Sequence, residues 1–405
     1  MDYFNDARRR VVGPEIEGAS AVGGFITEES YNNREINSQL FITATQDLSE
    51  DLNFSLTLGN AITDIQSDGI FSRGEGFSVT GFFDLSNATT LFTGRSFSLQ
   101  RLVGVFADAK LSYKNMLFLN VTGRNDWSST LPAQNRSFFY PSASLSFVFS
   151  ELMKDADWLN LGKLRASYAA VGRDGIGPYR IGEYYSLAGA FPIGNVTGFR
   201  LSGQSGSLNL RPETLVGLEA GLEMRFLDNR CGLDVANFDQ TTFDQIQTLP
   251  VSFATGFSNF VINGGAVRNS GIEVLLNARI VQTNEFTWDA TLNWSRIRGE
   301  IVDIVDGINE IVTGDIASYA SLRWVRPGTD PSNPNPAIGD IYGFDFIRNA
   351  NGQAIIGADG FPTVNLNRPV KVGNSFPDWL GGLTNTFTWN GLSLSFLLEW
   401  RHGGQ

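Results

Sequence analysis

Apolar and polar side chains alternate residue by residue over several stretches of this chain of 405 residues. In the clearest stretch, Phe286–Ser295, every second residue is aromatic or aliphatic, and threonine, aspartate, asparagine or serine stands between. Leu392–Arg401 repeats the pattern with one exception, Leu397. A period of two places the two sets on opposite faces of a β-strand, whereas a helix would scatter the aromatic rings around its axis. The chain is therefore predicted to be all-β.

Further strands are predicted where the alternation is less regular. They are seven to twelve residues long, around the length of roughly nine to eleven residues that a tilted strand needs to cross a bilayer. These segments are Leu40–Gln46, Leu52–Asn60, Leu102–Tyr113, Met116–Asn125, Ala143–Phe149, Leu161–Ala170, Leu215–Phe226, Cys231–Gln240, Gly271–Ile280 and Leu383–Trp389.

The connections between the predicted strands are of two kinds. The Asn390-Gly391 pair supplies the two positive-φ positions of a tight hairpin. Three other connections are long and rich in glycine, proline and asparagine: Asp174–Ser207, Thr241–Asn269 and Arg326–Gly373. Short turns on one side and long loops on the other are typical of an outer-membrane β-barrel.

The alternation alone fits two architectures. In a soluble β-sandwich the apolar face is a core, whereas in a membrane barrel it meets lipid and the polar face lines a wet lumen. Strand and loop lengths favour the barrel. Aromatic residues near the strand ends also favour it, because interfacial girdles would place them there. These residues are Tyr113, Trp127, Tyr140, Trp288, Trp294, Trp389 and Trp400.

Composition excludes several classes of function. One cysteine, Cys231, allows neither an internal disulfide nor a zinc–thiolate cluster. A net charge of −12 argues against nucleic-acid binding. Asn349–Gln353 and Asp303–Glu310 lack the acid spacing of a calcium loop and are predicted to be hairpin turns. The single histidine, His402, has no nucleophile partner that the sequence identifies, so we predict no enzyme activity and no catalytic, cofactor-binding or metal-binding residue.

The chain ends carry little targeting information. Met1–Arg10 is not a signal peptide, because its basic residues follow acids and precede no apolar core. The longest uncharged stretch, Ile246–Val267, is too polar for a membrane helix. Without a composition break, residues 1–405 are predicted to form one barrel domain that is incomplete at both ends.

Four segments between residues 97 and 405 together resemble the SusC/RagA family of TonB-linked outer-membrane proteins. They are Thr122–Ser129 with the following Phe138–Ser142, Leu210–Leu222, Asn263–Glu273, and Ile338–Gly343 with Val372–Trp379 and Leu383–Phe387. The residues that carry the resemblance are Arg124, Asp126, Trp127, Pro141, Pro212, Glu213, Asn263, Gly264, Asn269, Gly271, Glu273, Gly373, Asn374 and Pro377.

The resemblance implies a partial antiparallel transmembrane β-barrel in the outer membrane of Bacteroidota, with long extracellular loops and short periplasmic turns. It implies import of oligosaccharides or peptides, a SusD-like lipoprotein partner, and energy from TonB through a missing N-terminal region. A plug domain, which family members carry inside the barrel, is not found in this sequence. Two alternatives stay open: a soluble or surface β-rich carbohydrate-binding module, and an outer-membrane enzyme using His402.

The motif residues are expected to be structural. Glycines in Asn263–Glu273 permit turns, and Glu273 faces the lumen. Arg124, Asp126 and Arg136 are expected to pair among themselves in the lumen, rather than contact a substrate or plug. Aromatic residues of the long loops either contact a ligand or partner, or pack within the loops. The sequence does not distinguish between these two roles. They are Tyr179, Tyr184, Tyr185, Phe253, Phe257 and Phe260.

Overall fold

The computed structural model describes residues 1–13, 23–188, 198–317 and 320–405, so residues 189–197 of the predicted loop Asp174–Ser207 lie outside the described residues. Three short 3-10 turns occur, at Leu85–Asn87, Phe149–Leu152 and Phe253–Thr255. The strands are β1 (Asp2–Val12), β2 (Phe25–Ser49), β3 (Leu52–Phe77), β4 (Ala88–Tyr113), β5 (Leu117–Ser128), β6 (Ser137–Val148), β7 (Leu159–Arg173), β8 (Tyr185–Ala188), β9 (Gly198–Leu201), β10 (Gln204–Ser205), β11 (Glu213–Phe226), β12 (Cys231–Phe243), β13 (Ile246–Pro250), β14 (Asn259–Asn263), β15 (Ala266–Gln282), β16 (Phe286–Asp303), β17 (Glu310–Ala317), β18 (Ala320–Val325), β19 (Asp340–Gly343), β20 (Val370–Asn374), β21 (Pro377–Trp389) and β22 (Leu392–Gly403).

Thirteen of these strands form one sheet in the order β1-β2-β3-β4-β5-β6-β7-β11-β12-β15-β16-β21-β22. Every neighbouring pair is antiparallel. The remaining strands belong to small sheets inside three loops: β8-β9, β10-β14-β13 and β17-β18-β19-β20. The sheet therefore follows chain order, and the elements out of order are loop insertions.

Connections at the two ends of the sheet differ in length, as predicted. At one end, β21 and β22 are joined by Asn390 and Gly391, whose φ angles of 44° and 85° make the predicted tight hairpin. At the other end, long connections lead from β7 to β11, from β12 to β15 and from β16 to β21. The short-turn end and the long-loop end are the periplasmic and extracellular ends of such a barrel.

The strands are longer than predicted. The sheet strands β2, β3 and β4 have 25, 26 and 26 residues, against an expected nine to eleven or so. On one face of β3 a mostly apolar run from Phe54 to Ile62, with Asn60 inside it, is followed by Asp64, Gln66 and Asp68. The apolar run matches the expected span, but hydrogen bonding continues past it toward the long-loop end, where the side chains become polar.

The protein exposes 25316 Å² of surface, whereas a globular monomer of 44.3 kDa would expose about 15,500 Å². A single curved layer of strands explains the excess. The buried apolar clusters of the described residues lie at the long-loop end of the sheet and in the loops. One contains Leu249, Val267, Ile301, Ile304 and Ile311, and the other Leu131, Ile176, Leu210 and Val261.

One face of the sheet is apolar and the other is polar. The pairing register places apolar residues of one strand beside apolar residues of the next, and polar residues beside polar ones. Leu292 on β16 is paired with Leu276 on β15 and Leu383 on β21, and this row stands on the apolar face. Apolar side chains on this face are exposed, for example 74% for Ile42 and 63% for Leu394. No helix among the described residues has the length and apolarity to cross a membrane.

Most of the predicted girdle aromatics stand on the apolar face. Alternation along the strands places Trp294 and Trp400 toward the long-loop end of this face, and Tyr113 and Trp389 near the short-turn end. Tyr140 is an exception, because it lies on the polar face and its hydroxyl donates to Asp126 at 2.5 Å. The girdle assignment of Tyr140 is therefore wrong, because Tyr140 alternates in step with Ser142, Ser144 and Ser146 of β6 and shares their polar face.

The two predicted hairpin turns have different outcomes. Asn349–Gln353 is a hairpin turn, with the Asn349 N–H donating to the Gln353 carbonyl at 2.9 Å. Asp303–Glu310 is not, because it joins β16 to β17, which belong to different sheets. Long-range pairing of β17 with β18 decides this, and the local sequence does not encode it.

Gly264 sits where the β12–β15 loop passes a buried cluster, and we expect Gly264→Ala to loosen this loop. An added Cβ would overlap Cγ2 of Val305 and lie 3.3 Å from its Cα. Overpacking of this kind costs about 1–3 kcal/mol. Hydrogen exchange of the loop amides should therefore accelerate. The matched control is Gly314→Ala, where the Cβ would meet only Leu322 at 3.7 Å; equal effects of both changes would contradict the packing argument.

Candidate functional site: the polar face and its loops

The polar face of the sheet holds a groove of about 780 Å³ between β7 and β22. Charged and polar side chains project into it from five strands. They are Arg165, Asp234, Glu273, Asn293, Ser295, Glu399 and Arg401. The groove is wide enough for a small organic ligand or a segment of polypeptide.

Small residues form the floor of this groove. Across the sheet, Arg165 is paired with Gly221, Gly221 with Ala236, and Ala236 with Glu273. A Cβ at Gly221 would collide with the Arg165 guanidinium. Because this space is free, the guanidinium crosses the strand and binds both oxygens of Asp234, at 2.8 and 3.0 Å.

The charges in the groove are only partly compensated. Arg165 also lies 3.6 Å from Glu219, and Arg401 donates to the Ser375 carbonyl at 3.0 Å. Glu273 and Glu399 form no ion pair or side-chain hydrogen bond within the described ranges of the chain. Glu273 stands on the polar face, opposite Ser295, and its orientation toward a lumen stays a prediction.

A second groove of about 600 Å³ lies on the same face near β4, β5 and β6. Arg124 lines it and donates to Asp126 at 2.8 Å, and Asp126 is only 3% exposed. The predicted pairing of Arg124 with Asp126 is therefore confirmed. Arg136 takes part in none of the side-chain hydrogen bonds or ion pairs among residues that the structure describes. Instead of Arg136, Tyr140 contacts Asp126 through its hydroxyl, a contact that the sequence analysis did not predict.

Buried polar contacts link the connections at the long-loop end of the sheet. The Asp174 carboxylate accepts from Ser128 at 2.8 Å and from Thr130 and Gln100 at 3.0 Å, and Ser128 and Thr130 are each 1% exposed. Asp174 begins the loop after β7, whereas Ser128 and Thr130 lie at the end of β5. The carboxylate thus ties two loops of the sheet together.

The motif residues Asn263 and Glu213 act in the same way. The Asn263 side chain accepts from the Arg211 N–H at 2.7 Å and donates to the carbonyls of Arg211 and Asp244 at 2.8 Å. Glu213 accepts from the Ile246 N–H at 2.8 Å. These contacts join the β7–β11 loop, next to Pro212, with the β12–β15 loop.

A third polar cluster, which includes the motif residue Asn374, surrounds Asp340, and Asp340 is completely buried in the loop sheet β17–β20. Its carboxylate accepts from Asn333 at 2.7 Å, from the Ala337 N–H at 2.8 Å and from Asn374 at 2.8 Å, and it pairs with Lys371 at 2.7 Å. Four donors therefore satisfy one carboxylate. The sequence showed Asp340 within a motif but gave no signal of this central position.

The other motif residues lie at close backbone approaches, in cavity walls or on the apolar face. A Cβ at Gly271 would come 2.7 Å from the Arg296 carbonyl and 2.8 Å from the Phe238 ring. Asn269 and Pro377 line a small cavity of about 190 Å³ near the start of β21. Gly373 lies against Gln405, Trp127 is 38% exposed on the apolar face, and Pro141 borders the second groove.

Two further predicted features lie apart from the grooves. His402 stacks on the Trp379 indole, with ring centroids 5.5 Å apart and an interplanar angle of 19°. In the loops, Phe257 and Phe260 pack edge to face at 5.8 Å, whereas Phe253 is 82% exposed. Tyr179, Tyr184 and Tyr185 are also exposed.

The loop sheet is expected to weaken in acid through Asp330. Burial alone would raise the pKa of this carboxyl, but hydrogen bonds from Ser332 and the nearby Arg368 guanidinium outweigh burial and hold the pKa below its ordinary value. A lowered folded-state pKa stabilises the fold above the unfolded value of about 3.9, and the stabilisation is lost as pH falls from there toward the folded pKa.

Burial raises the pKa of Tyr342 to about 12, so its contribution is present below about pH 10 and lost as pH rises from there through the folded value. Hydrogen exchange of β18–β20, corrected for intrinsic rates, should therefore show greatest protection between these limits. In Asp330→Asn the loss of protection at acid pH should disappear, whereas the loss of protection at alkaline pH should remain. A pH-independent profile in the unmodified protein would contradict this prediction.

An antiparallel wall with an exposed apolar band on one face and charged grooves on the other defines the transmembrane part of an outer-membrane β-barrel. The chain matches the model of the family described as TonB dependent receptor-like, beta-barrel, over residues 3–404. It belongs to that family, whose members lie in the outer membrane.

Curated relatives agree with this assignment. The chain is 25% identical over 415 aligned residues to TonB-dependent receptor P3 of Formosa agariphila, covering 96% of this chain and 41% of the relative. It is 23% identical to TonB-dependent receptor SusC of Bacteroides thetaiotaomicron, covering 98% of this chain and 40% of SusC. These relatives confirm the resemblance to the SusC/RagA family. The chain spans about two fifths of their length.

Among solved structures, the chain is similar to the RagAB peptide transporter, with a TM-score of 0.81. The sequence identity is 20%, and the alignment covers 99% of this chain and 45% of that one. At this identity the similarity concerns the fold, and it confirms the antiparallel barrel architecture.

Proposed function

We propose that the chain forms the barrel wall of a TonB-dependent, SusC-like importer that carries nutrients across the outer membrane. The observation that carries the proposal is the pair of faces on one continuous sheet. An exposed apolar band suits lipid, and a groove of about 780 Å³ lined by Arg165, Asp234, Glu273, Glu399 and Arg401 suits a wet passage.

The character of the groove supports a polar class of cargo. Acidic and basic side chains project from a floor of small residues, so a polar ligand with hydrogen-bonding groups fits better than an apolar one. Oligosaccharides and peptides both meet this description. The similar solved structure is that of a peptide transporter, whereas SusC is described only as a TonB-dependent receptor.

The partners proposed are a SusD-like lipoprotein at the long-loop end and the TonB system as the source of energy. Phe253, Tyr185 and Tyr179, exposed by 82%, 71% and 58%, supply aromatic surface at that end. Exposed aromatic residues are frequent at protein interfaces and sugar-binding surfaces. The alternative of a soluble carbohydrate-binding module is disfavoured by the exposed apolar band.

The test is uptake by cells that express the complete gene. Growth on oligosaccharides and on peptides as single nutrients is compared between the wild type, a gene deletion and a strain lacking TonB. Import predicts that deletion and loss of TonB abolish growth on the same nutrient class. Growth of the deletion strain equal to wild type on both classes, with paralogous importers also deleted, would refute the proposal.

The groove is tested by reversing one charge in the same strain. Glu273→Lys should reduce uptake of the cargo, because Glu273 projects into the groove without a partner among the described residues. Asp315→Lys, on an exposed loop strand, is the matched control. Equal uptake by both variants would show that the groove near Glu273 is not on the route.

A further inference from the structure

The apolar face of β16 ends abruptly toward the long loops. Pairing with β15 is uninterrupted from Asp289 to Ile301, so alternate residues keep one face over this length. Trp294 is the last apolar residue of the band. The next two side chains on its face are Arg296 and Arg298, and both are exposed. They follow one another at about 6.7 Å along the strand.

Other arginines at this border have carboxylate partners. Arg101 pairs with Asp64 at 2.6 Å, and Arg95 pairs with Asp68 at 2.6 Å. Arg268 pairs with Asp239, which it binds through two nitrogens. Over the part of the chain that the structure describes, Arg296 and Arg298 form neither an ion pair nor a side-chain hydrogen bond. Two guanidinium groups therefore stand without a direct carboxylate contact at the edge of the apolar band.

Arg298 lines a groove of about 270 Å³ with Glu300 and Asp378, but neither carboxylate pairs with it among the described residues, and Glu300 lies 3.8 Å from Arg268. In the row of Arg296 the next residue across the sheet is Ile272, which is 41% exposed. Arg298 is paired across the sheet with Ser270, and Ser270 is paired with Asp239 on the next strand. Asp239 already accepts hydrogen bonds from Arg268. Long arginine stems can lie along such an apolar surface while the guanidinium groups reach the water interface.

We propose that Arg296 and Arg298 form a binding site for the phosphate groups of an anionic lipid in the leaflet at the long-loop end. Trp294, directly below them, is a residue type that anchors proteins at the level of lipid headgroups. A guanidinium binds phosphate through two parallel hydrogen bonds and keeps its charge at all relevant pH values. The site would fix the depth and rotation of this wall in the bilayer.

The test uses the protein expressed from its complete gene and placed in nanodiscs of phosphatidylcholine. Increasing fractions of lipid A or phosphatidylglycerol are added, and bound lipid is counted by native mass spectrometry after release into detergent. The double change Arg296→Gln with Arg298→Gln should weaken retention of anionic lipid about tenfold or more. Retention of phosphatidylcholine should not change.

The matched control is Arg95→Gln with Arg180→Gln, which removes the same charge from a paired border site and from a loop; it should leave retention unchanged. Arg296→Lys with Arg298→Lys keeps the charge but loses the paired hydrogen bonds of the guanidinium. Its retention of anionic lipid should lie between that of the wild type and that of the Gln double variant. Equal retention by the Gln double variant and the wild type would overturn the proposal. Full displacement of lipid by inorganic phosphate alone would also overturn it, because it would show an adventitious anion site only.

Discussion

Leu292→Arg should destabilise the barrel wall by about 1–3 kcal/mol, because Leu292 lies between the bilayer midplane, where an arginine costs about 2–4 kcal/mol, and the interface, where it costs about 0–1 kcal/mol. Leu292 stands within the apolar run from Phe286 to Trp294, in a row with Leu276 and Leu383. These two aliphatic neighbours cannot bind the guanidinium. The measurement is the free energy of unfolding in urea, followed by tryptophan fluorescence in lipid vesicles.

Two controls separate the cost of placing a guanidinium in hydrocarbon from other effects of the substitution. Asn293→Arg changes the neighbouring residue, which lines the polar groove, and should cost much less because the guanidinium meets water there. Leu292→Ala measures the loss of apolar contact without introducing a charge. Comparable destabilisation by Leu292→Arg and Asn293→Arg would show that the two faces are wrongly assigned.

The second large effect is expected at the centre of the loop sheet. Asp340→Asn should destabilise β18–β20 by about 3–5 kcal/mol, because it leaves the Lys371 ammonium without its buried counter-ion. The new amide group would also face donors from Asn333, Asn374 and the Ala337 backbone. Hydrogen exchange should accelerate in these loop strands, while the transmembrane part of β16 and β21 stays protected.

The control for this change is Asp315→Asn, because Asp315 is exposed on β17 of the same sheet. It should alter exchange little. Adding Lys371→Met to Asp340→Asn removes the orphaned ammonium and should restore part of the lost protection. If Asp340→Asn left exchange in β18–β20 unchanged, the carboxylate would not be the centre that holds this loop together.

Local sequence determined which residues share a face. The alternation in Phe286–Ser295 places Trp294 and Asn293 on opposite faces whatever strand lies beside them, because successive residues of any strand point in opposite directions. The hairpin at Asn390 follows from the backbone freedom of its two residues in the same local way. Residue patterns in order along the chain were enough to identify the family.

Tertiary structure decided what those faces do. Pairing of Arg165 with Asp234, residues on β7 and β12, requires β11 to lie between them with Gly221 at the crossing. Likewise, Asp340 becomes a buried centre only when Asn333 and Asn374 fold around it. Such contacts depend on strand register and loop packing between distant residues, and no short stretch of sequence contains that information. The sequence by itself therefore determined a two-faced β-strand protein of a recognisable family, whereas register and long-range packing decided the length of the strands, the shape of the grooves and the contacts that hold the loops.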